Sequence, residues 1–150
     1  MNKASLDINA ITDEVITLIK DKLAEYLPSG VALPKSIRRG SDYADVSVKR
    51  PFVLVVATGV NPSHEDSLQG AEAFEVEMEI GAFLTGTDDG KITENQNDYA
   101  SALISLFINN TSTPGLWDIA FSGATMPPSG TATEKFVSVS IIGKAIAGTC

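Results

Sequence analysis

Residues 74–80 read FEVEMEI. Phe74, Val76, Met78 and Ile80 are apolar, and the residues between them, Glu75, Glu77 and Glu79, are acidic. Side chains on a strand point alternately to opposite faces. The two-residue period therefore predicts a strand with one face in a core and three carboxylates in a row on the other. Such a strand suits an antiparallel sheet with one apolar and one polar face. Continuing the alternation places Gly81 and Phe83 on the Glu face. A phenylalanine there marks either an interface or a spot covered by a loop or helix end.

Working outward, RPFVLVVATG (50–59) holds an apolar run over 52–57 without alternation, the pattern of a strand buried on both faces. Pro51 suits its first position. The polar, turn-rich VNPSHEDSLQGAE (60–72) joins the two strands as a long hairpin connection. Earlier, LDINAITDEVITLIKDKLAEYLP (6–28) repeats Ile8, Ile11, Val15, Leu18, Ile19, Leu23 and Leu27 at spacings of three and four, a helix capped by Asp7 and stopped at Pro28-Ser29-Gly30. Residues 28–50 show no sustained period and are expected as a long irregular connection with a short strand near 45–48. Later, TDDGKITENQ (87–96) reads as a connection. NDYASALISLFINN (97–110) reads as a second helix, capped by Asn97 or Asp98, with Tyr99, Leu103, Leu106 and Phe107 on one side. A weak strand is expected over 116–121, a loop over 122–134, and a last strand in KFVSVSIIGKAIAG (135–148).

The order is α-β-β-α-(β)-β. Strands that follow one another without a helix pair most simply as antiparallel neighbours. The expected fold is α+β: a single mixed, mainly antiparallel β-sheet with two α-helices packed against it. All 150 residues are expected to form one domain, with flexible termini at 1–5 and 148–150 and long loops near 28–50, 60–72 and 122–134.

Composition narrows the function. The chain is 43% apolar and 20% charged, a soluble globular balance, and holds no apolar run long enough to span a bilayer. The opening residues lack the basic-then-apolar design of a secretory signal, and one cysteine, Cys150, allows no disulfide within the chain, so a reducing compartment is expected. A net charge of −8 argues against wrapping nucleic acid by neutralising phosphates. Five of the eleven basic residues, Lys35, Arg38, Arg39, Lys49 and Arg50, lie between 35 and 50. Nine acidic residues and one basic residue lie between Glu65 and Glu94. These runs are either solvated surface or the two halves of a head-to-tail contact between identical subunits, which uses two different surfaces and closes into rings.

Catalytic and metal readings find little support. Successive side chains on one strand face stand about 6.5–7 Å apart, so the Glu row does not converge on one ion, and no His, Cys or Lys partners it within the strand. Its remaining roles are a solvated face or a row turned to a lumen or partner. In TDDGKIT, aligning Gly90 with the glycine of an EF-hand loop leaves Thr85, Thr87 and Gln96 where carboxylates are needed. One histidine, His64 in NPSHED, is too few for a closed zinc site. No phosphate-binding loop or serine elbow is present, and no cofactor is expected. Trp117 in PGLWDIAF reads as core or interface packing.

With its elements in this order, the chain resembles the tail terminator (tail completion) proteins of long-tailed bacteriophages. The resemblance lies in the N-terminal helix, the Pro-led strand RPFVLVVATG, the acidic hairpin VNPSHEDSLQGAE, the alternating strand AFEVEMEIGAFL, the helix YASALISLFINN and the closing strand KFVSVSIIGKAI, and covers most of 5–147. It implies a non-enzymatic virion protein, assembled in the host cytoplasm. It further implies a homo-hexameric ring that caps the head-proximal end of the tail tube, stops its growth and joins the head or its connector. DNA would pass through the lumen without sequence-specific binding, and no membrane would be involved. The implied partners are further copies of the chain, the tail tube protein and the connector. On this reading Lys35, Arg38, Arg39, Lys49, Arg50 and Phe83 are candidate contacts, and Glu75, Glu77 and Glu79 a candidate acidic lining of the lumen or partner face. The competing readings are another neck or head–tail completion protein and a small α+β ligand-binding domain or enzyme with an apolar pocket.

Overall fold

A computed structural model of the chain describes residues 5–41, 50–67, 71–127 and 134–148. Helix α1 spans Ile8–Tyr26. Asp7 caps it, its carboxylate accepting from the Ala10 amide at 3.0 Å, and the expected stripe is buried at Ile11, Val15, Ile19 and Leu23. Strands β1 (Ser36–Arg39), β2 (Phe52–Pro62) and β3 (Ala71–Thr85) follow, then helix α2 (Asp89–Asn109) and strands β4 (Trp117–Thr125) and β5 (Glu134–Gly148). They form one five-stranded sheet in the order β1-β2-β3-β5-β4. The β1–β2 pair is parallel and the other three are antiparallel. The fold is thus α+β with a mixed, mainly antiparallel sheet, as the sequence predicts.

Several boundaries differ from expectation: β2 and β3 extend from either end into the connection expected over 60–72, and β4 runs to Thr125, into the loop expected over 122–134. Residues 36–39 fall in the stretch read as irregular, yet they form β1. Four residues are too few to show a period, and the strand exists because Ser36, Ile37, Arg38 and Arg39 find partners in Phe52, Val53, Leu54 and Val55. The strand expected near 45–48 lies outside the described residues. Helix α2 begins at Asp89, earlier than the expected caps Asn97 and Asp98, and Asp88 is the true cap, accepting from the Gly90 amide at 3.0 Å. The buried stripe runs Ile92, Gln96, Tyr99, Leu103 and Leu106. A polar Gln96 concealed its first turns. Its side-chain amide is satisfied in the core by the Phe136 carbonyl at 2.9 Å.

Both helices pack on one face of the sheet. Val15, Ile19, Leu103 and Phe107 from the helices share one core with Val53, Val76, Met78, Val139 and Ile141 from the strands. In β2, Phe52, Val53, Leu54 and Val55 are all buried, as an apolar run without alternation predicts. Leu116, just before β4, drops its side chain onto Gly143 of β5 from the helix side. Among the described residues no helix is long and apolar enough to cross a membrane.

Candidate functional site

The register settles what shares the other face. Partnered residues of neighbouring strands point the same way, so each rung of the ladder can be followed across the sheet. One rung holds Asn61, Glu75, Lys144 and Trp117. The next holds Gly59, Glu77, Ile142 and Ala120, and the next Val56, Glu79, Ser140 and Gly123. Nearer the other end lie Phe52, Phe83 and Phe136. The three glutamates therefore stand in a row on the sheet face that carries no helix. A bulge between Ala57 and Gly59 keeps β2 in step with them.

The row is not uniform. Glu79 accepts a hydrogen bond from the Ser138 hydroxyl across the β3–β5 pair. Glu77 lines a shallow cavity of about 240 Å³ with Thr58, Ser122 and Ser140. Glu75 is exposed, and its rung neighbour Lys144 provides a cation. The Lys144 ammonium lies 3.0 Å from the Asp66 carboxylate, to which Ser63 donates at 2.6 Å. The turn that follows β2 is thus clasped to the helix-free face. The Ser63 hydrogen bond, then that of Lys144, holds the Asp66 carboxyl below its ordinary range. The hydrogen bond to Asp66 likewise holds the Lys144 ammonium above its own.

The aromatic end is a stack. Phe52 and Phe83 have ring centroids 4.8 Å apart, and Phe83 and Phe136 lie 5.6 Å apart, nearly parallel. Phe83 is thereby buried at 6% exposure. Two neighbouring rings pack on it, and its side chain is committed within the fold. The Arg50 guanidinium lies 5.3 Å from the Phe52 ring centroid and 3.8 Å from Glu134.

Among the described residues, the remaining basic side chains are spread over both faces of the sheet. Arg39 points to the helix side, its Nε 3.3 Å from Asp13 of α1. Arg38 alternates with it and shares the helix-free face with its partner Leu54. Lys35 is exposed and borders a cavity of about 240 Å³ with Arg50 and Tyr99. Lys49 lies outside the described residues. The Tyr99 hydroxyl donates to the Ala32 carbonyl, and burial pushes its pKa up.

Two further features complete the surface. Trp117, expected as core or interface packing, is not in the core: it stands 41% exposed on β4, a strand with two register shifts, at Trp117/Ala120 and Phe121/Gly123. The second is a groove of about 510 Å³ between α1 and residues 112–114, bordered by Asp13, Glu14 and Asp21. There Glu14 accepts from the Thr113 hydroxyl at 2.8 Å and the Gly115 amide at 2.7 Å, tying α1 to the loop before β4. Among the described residues no cluster of three or more His, Cys, Asp or Glu side chains could hold a metal ion.

The fold has a solved counterpart. A chain in the virion of a native gene transfer agent particle superposes with a TM-score of 0.57 at 10% sequence identity, over 95% of this chain and 100% of that one. A sheath/tube terminator of an extracellular contractile injection system, in its extended state, matches more loosely, with a TM-score of 0.44 at 13% identity over 97% of this chain and 59% of that one. At such identities the likeness to the gene transfer agent chain concerns the fold alone, and the looser match carries nothing further. No protein-family model and no curated protein matches the sequence.

Proposed function

We propose that this chain is a structural virion protein of a phage-type tail. Copies of it form a ring, six in number as in the family it resembles, on the head-proximal end of the tail tube. The ring ends tube growth and presents the joint to the head or its connector. The observation that carries this reading is the two-sided sheet: both helices cover one face, and the Glu75–Glu77–Glu79 row occupies the other. Repeated around a ring with that face inward, the row makes an acidic lining past which DNA slides without sticking. The net charge of −8 is consistent with such a lining. The match in fold to a chain of a gene transfer agent virion supports the same setting. The protein acts through contacts with its own copies, with the tube and with the connector, and does no chemistry.

Particles assembled without this chain test the proposal. Tube growth without a stop predicts tails of uncontrolled length, counted by electron microscopy. Tails of normal length that fail to join heads would instead assign the chain to the neck. A second arm reverses Arg38 and Arg39 to Glu, which should block joining while the circular dichroism of the purified chain stays unchanged.

A further inference from the structure

Within the ring reading, on which this inference rests, the sheet itself identifies where one copy meets the next. Among the described residues, β1 and β4 are its two edges. Arg38 lies on one edge and Trp117 on the other, and both share the helix-free face. Across the sheet four strand spacings separate them, about 19 Å at 4.8 Å each, and their rungs meet β3 six residues apart, at Gly81 and Glu75, so they do not meet within one chain. In a head-to-tail contact, opposite edges of neighbouring copies are the surfaces that face each other.

The edges are ill suited to extend the backbone ladder. β1 has four residues and carries two arginines. β4 is broken by two register shifts, and Asp118 within the first has φ of 48°. Short, charged and bulged edges resist strand addition. Side chains must therefore make the contact. Trp117 is 41% exposed, with exposed Asp118 next to it, while Lys144, paired with Asp66, stands between it and Glu75 on the rung. An indole face beside a carboxylate is a receptor for a guanidinium, which stacks on the ring and donates in its plane. The chain already uses this pairing inside itself, where Arg50 lies over Phe52 and beside Glu134. Arg38 is exposed and engages a group of its own chain, and its five donors allow it to serve a second.

We propose that Arg38 of one copy seats on Trp117 and against Asp118 of the next, a side-chain joint between opposite sheet edges.

Trp117 is the single tryptophan of the chain, so its fluorescence reports on this joint directly. The purified full chain is followed by sedimentation velocity and by acrylamide quenching over rising concentration. Assembly is expected to shelter Trp117 and shift its emission to the blue. Trp117→Ala and Arg38→Glu should each raise the concentration needed for assembly about tenfold or more, as loss of an interface anchor does. Arg38→Glu with Asp118→Arg should restore it, which a general loss of folding would not. If rings form while Trp117 remains as open to quencher as in the monomer, or if Arg38→Glu assembles like the unaltered chain, this joint is overturned and the ring survives. A monomer at every concentration overturns the ring and the joint together.

Discussion

The Leu116 side chain lies so close over Gly143 that a Cβ on Gly143 would sit 2.5 Å from Leu116 Cγ. Leu116 is fully buried and has nowhere to retreat. Gly143→Ala is therefore expected to destabilise the fold by about 1–3 kcal/mol, as overpacking does. The urea midpoint reads this. Leu116→Ala in the same chain should recover part of the loss, so the double variant is more stable than the sum of the singles predicts.

Val76 and Glu77 are sequence neighbours on opposite faces of β3. Val76 has no exposure, whereas Glu77 is half-buried on the helix-free face. Val76→Asp should cost about 3 kcal/mol or more, because it buries an unpaired carboxyl in the helix-covered core. Glu77→Gln should stay within about 0.5 kcal/mol. Equal effects in chemical denaturation would refute the assignment of faces.

Tyr99 predicts an alkaline limit. Its folded pKa is raised by burial, so the folded state holds a proton that the unfolded state releases above about pH 10. Stability is then fully present below that pH and falls as pH rises further. Tyr99→Phe should lower stability at neutral pH by about 1–2 kcal/mol, since the Ala32 carbonyl loses its donor. It should also flatten the alkaline fall, seen as thermal midpoints measured from pH 8 upward.

The Asp66–Lys144 clasp has limits at both ends of the pH scale. The Asp66 carboxyl is depressed, so its contribution is present above the ordinary Asp value near 4 and is lost as pH falls through the folded value. The Lys144 ammonium is raised, so its contribution is whole below the ordinary Lys value near 10.4 and is lost as pH rises through the folded one. Asp66→Asn should speed amide hydrogen exchange at Asp66, Ser67 and Ala73, where the turn is tied down, and leave the central strands unchanged. The same selective increase should appear in the unaltered chain as pH drops below about 4, after correction for intrinsic rates. Uniform exchange across both regions would rule out the clasp as a local device.

Legibility followed the length and purity of each pattern. The stripe of α1, the alternation of β3 and the apolar run of β2 were readable because one solvent boundary repeats along many residues. The start of α2 was not, since Gln96 is a polar residue that the core accepts only through the Phe136 carbonyl, a partner forty positions away. β1 was hidden for a related reason: SIRR has no period of its own and becomes a strand only against β2. The candidate contacts were legible as residue types but not as a surface. Arg39 turned to α1, Arg50 turned to Phe52 and Glu134, and Phe83 went into a ring stack.

By itself, the sequence determined that Glu75, Glu77 and Glu79 share one face of a strand and that Val76, Met78 and Ile80 share the other, since side-chain alternation is a local property of extended backbone. Only the tertiary structure decided that both helices cover the apolar face, that the glutamates therefore stand on the uncovered one, and that Lys144 and Trp117 join their rung. Those facts depend on which strands pair and in what register, and register is fixed by burial summed over the whole sheet rather than by any single stretch.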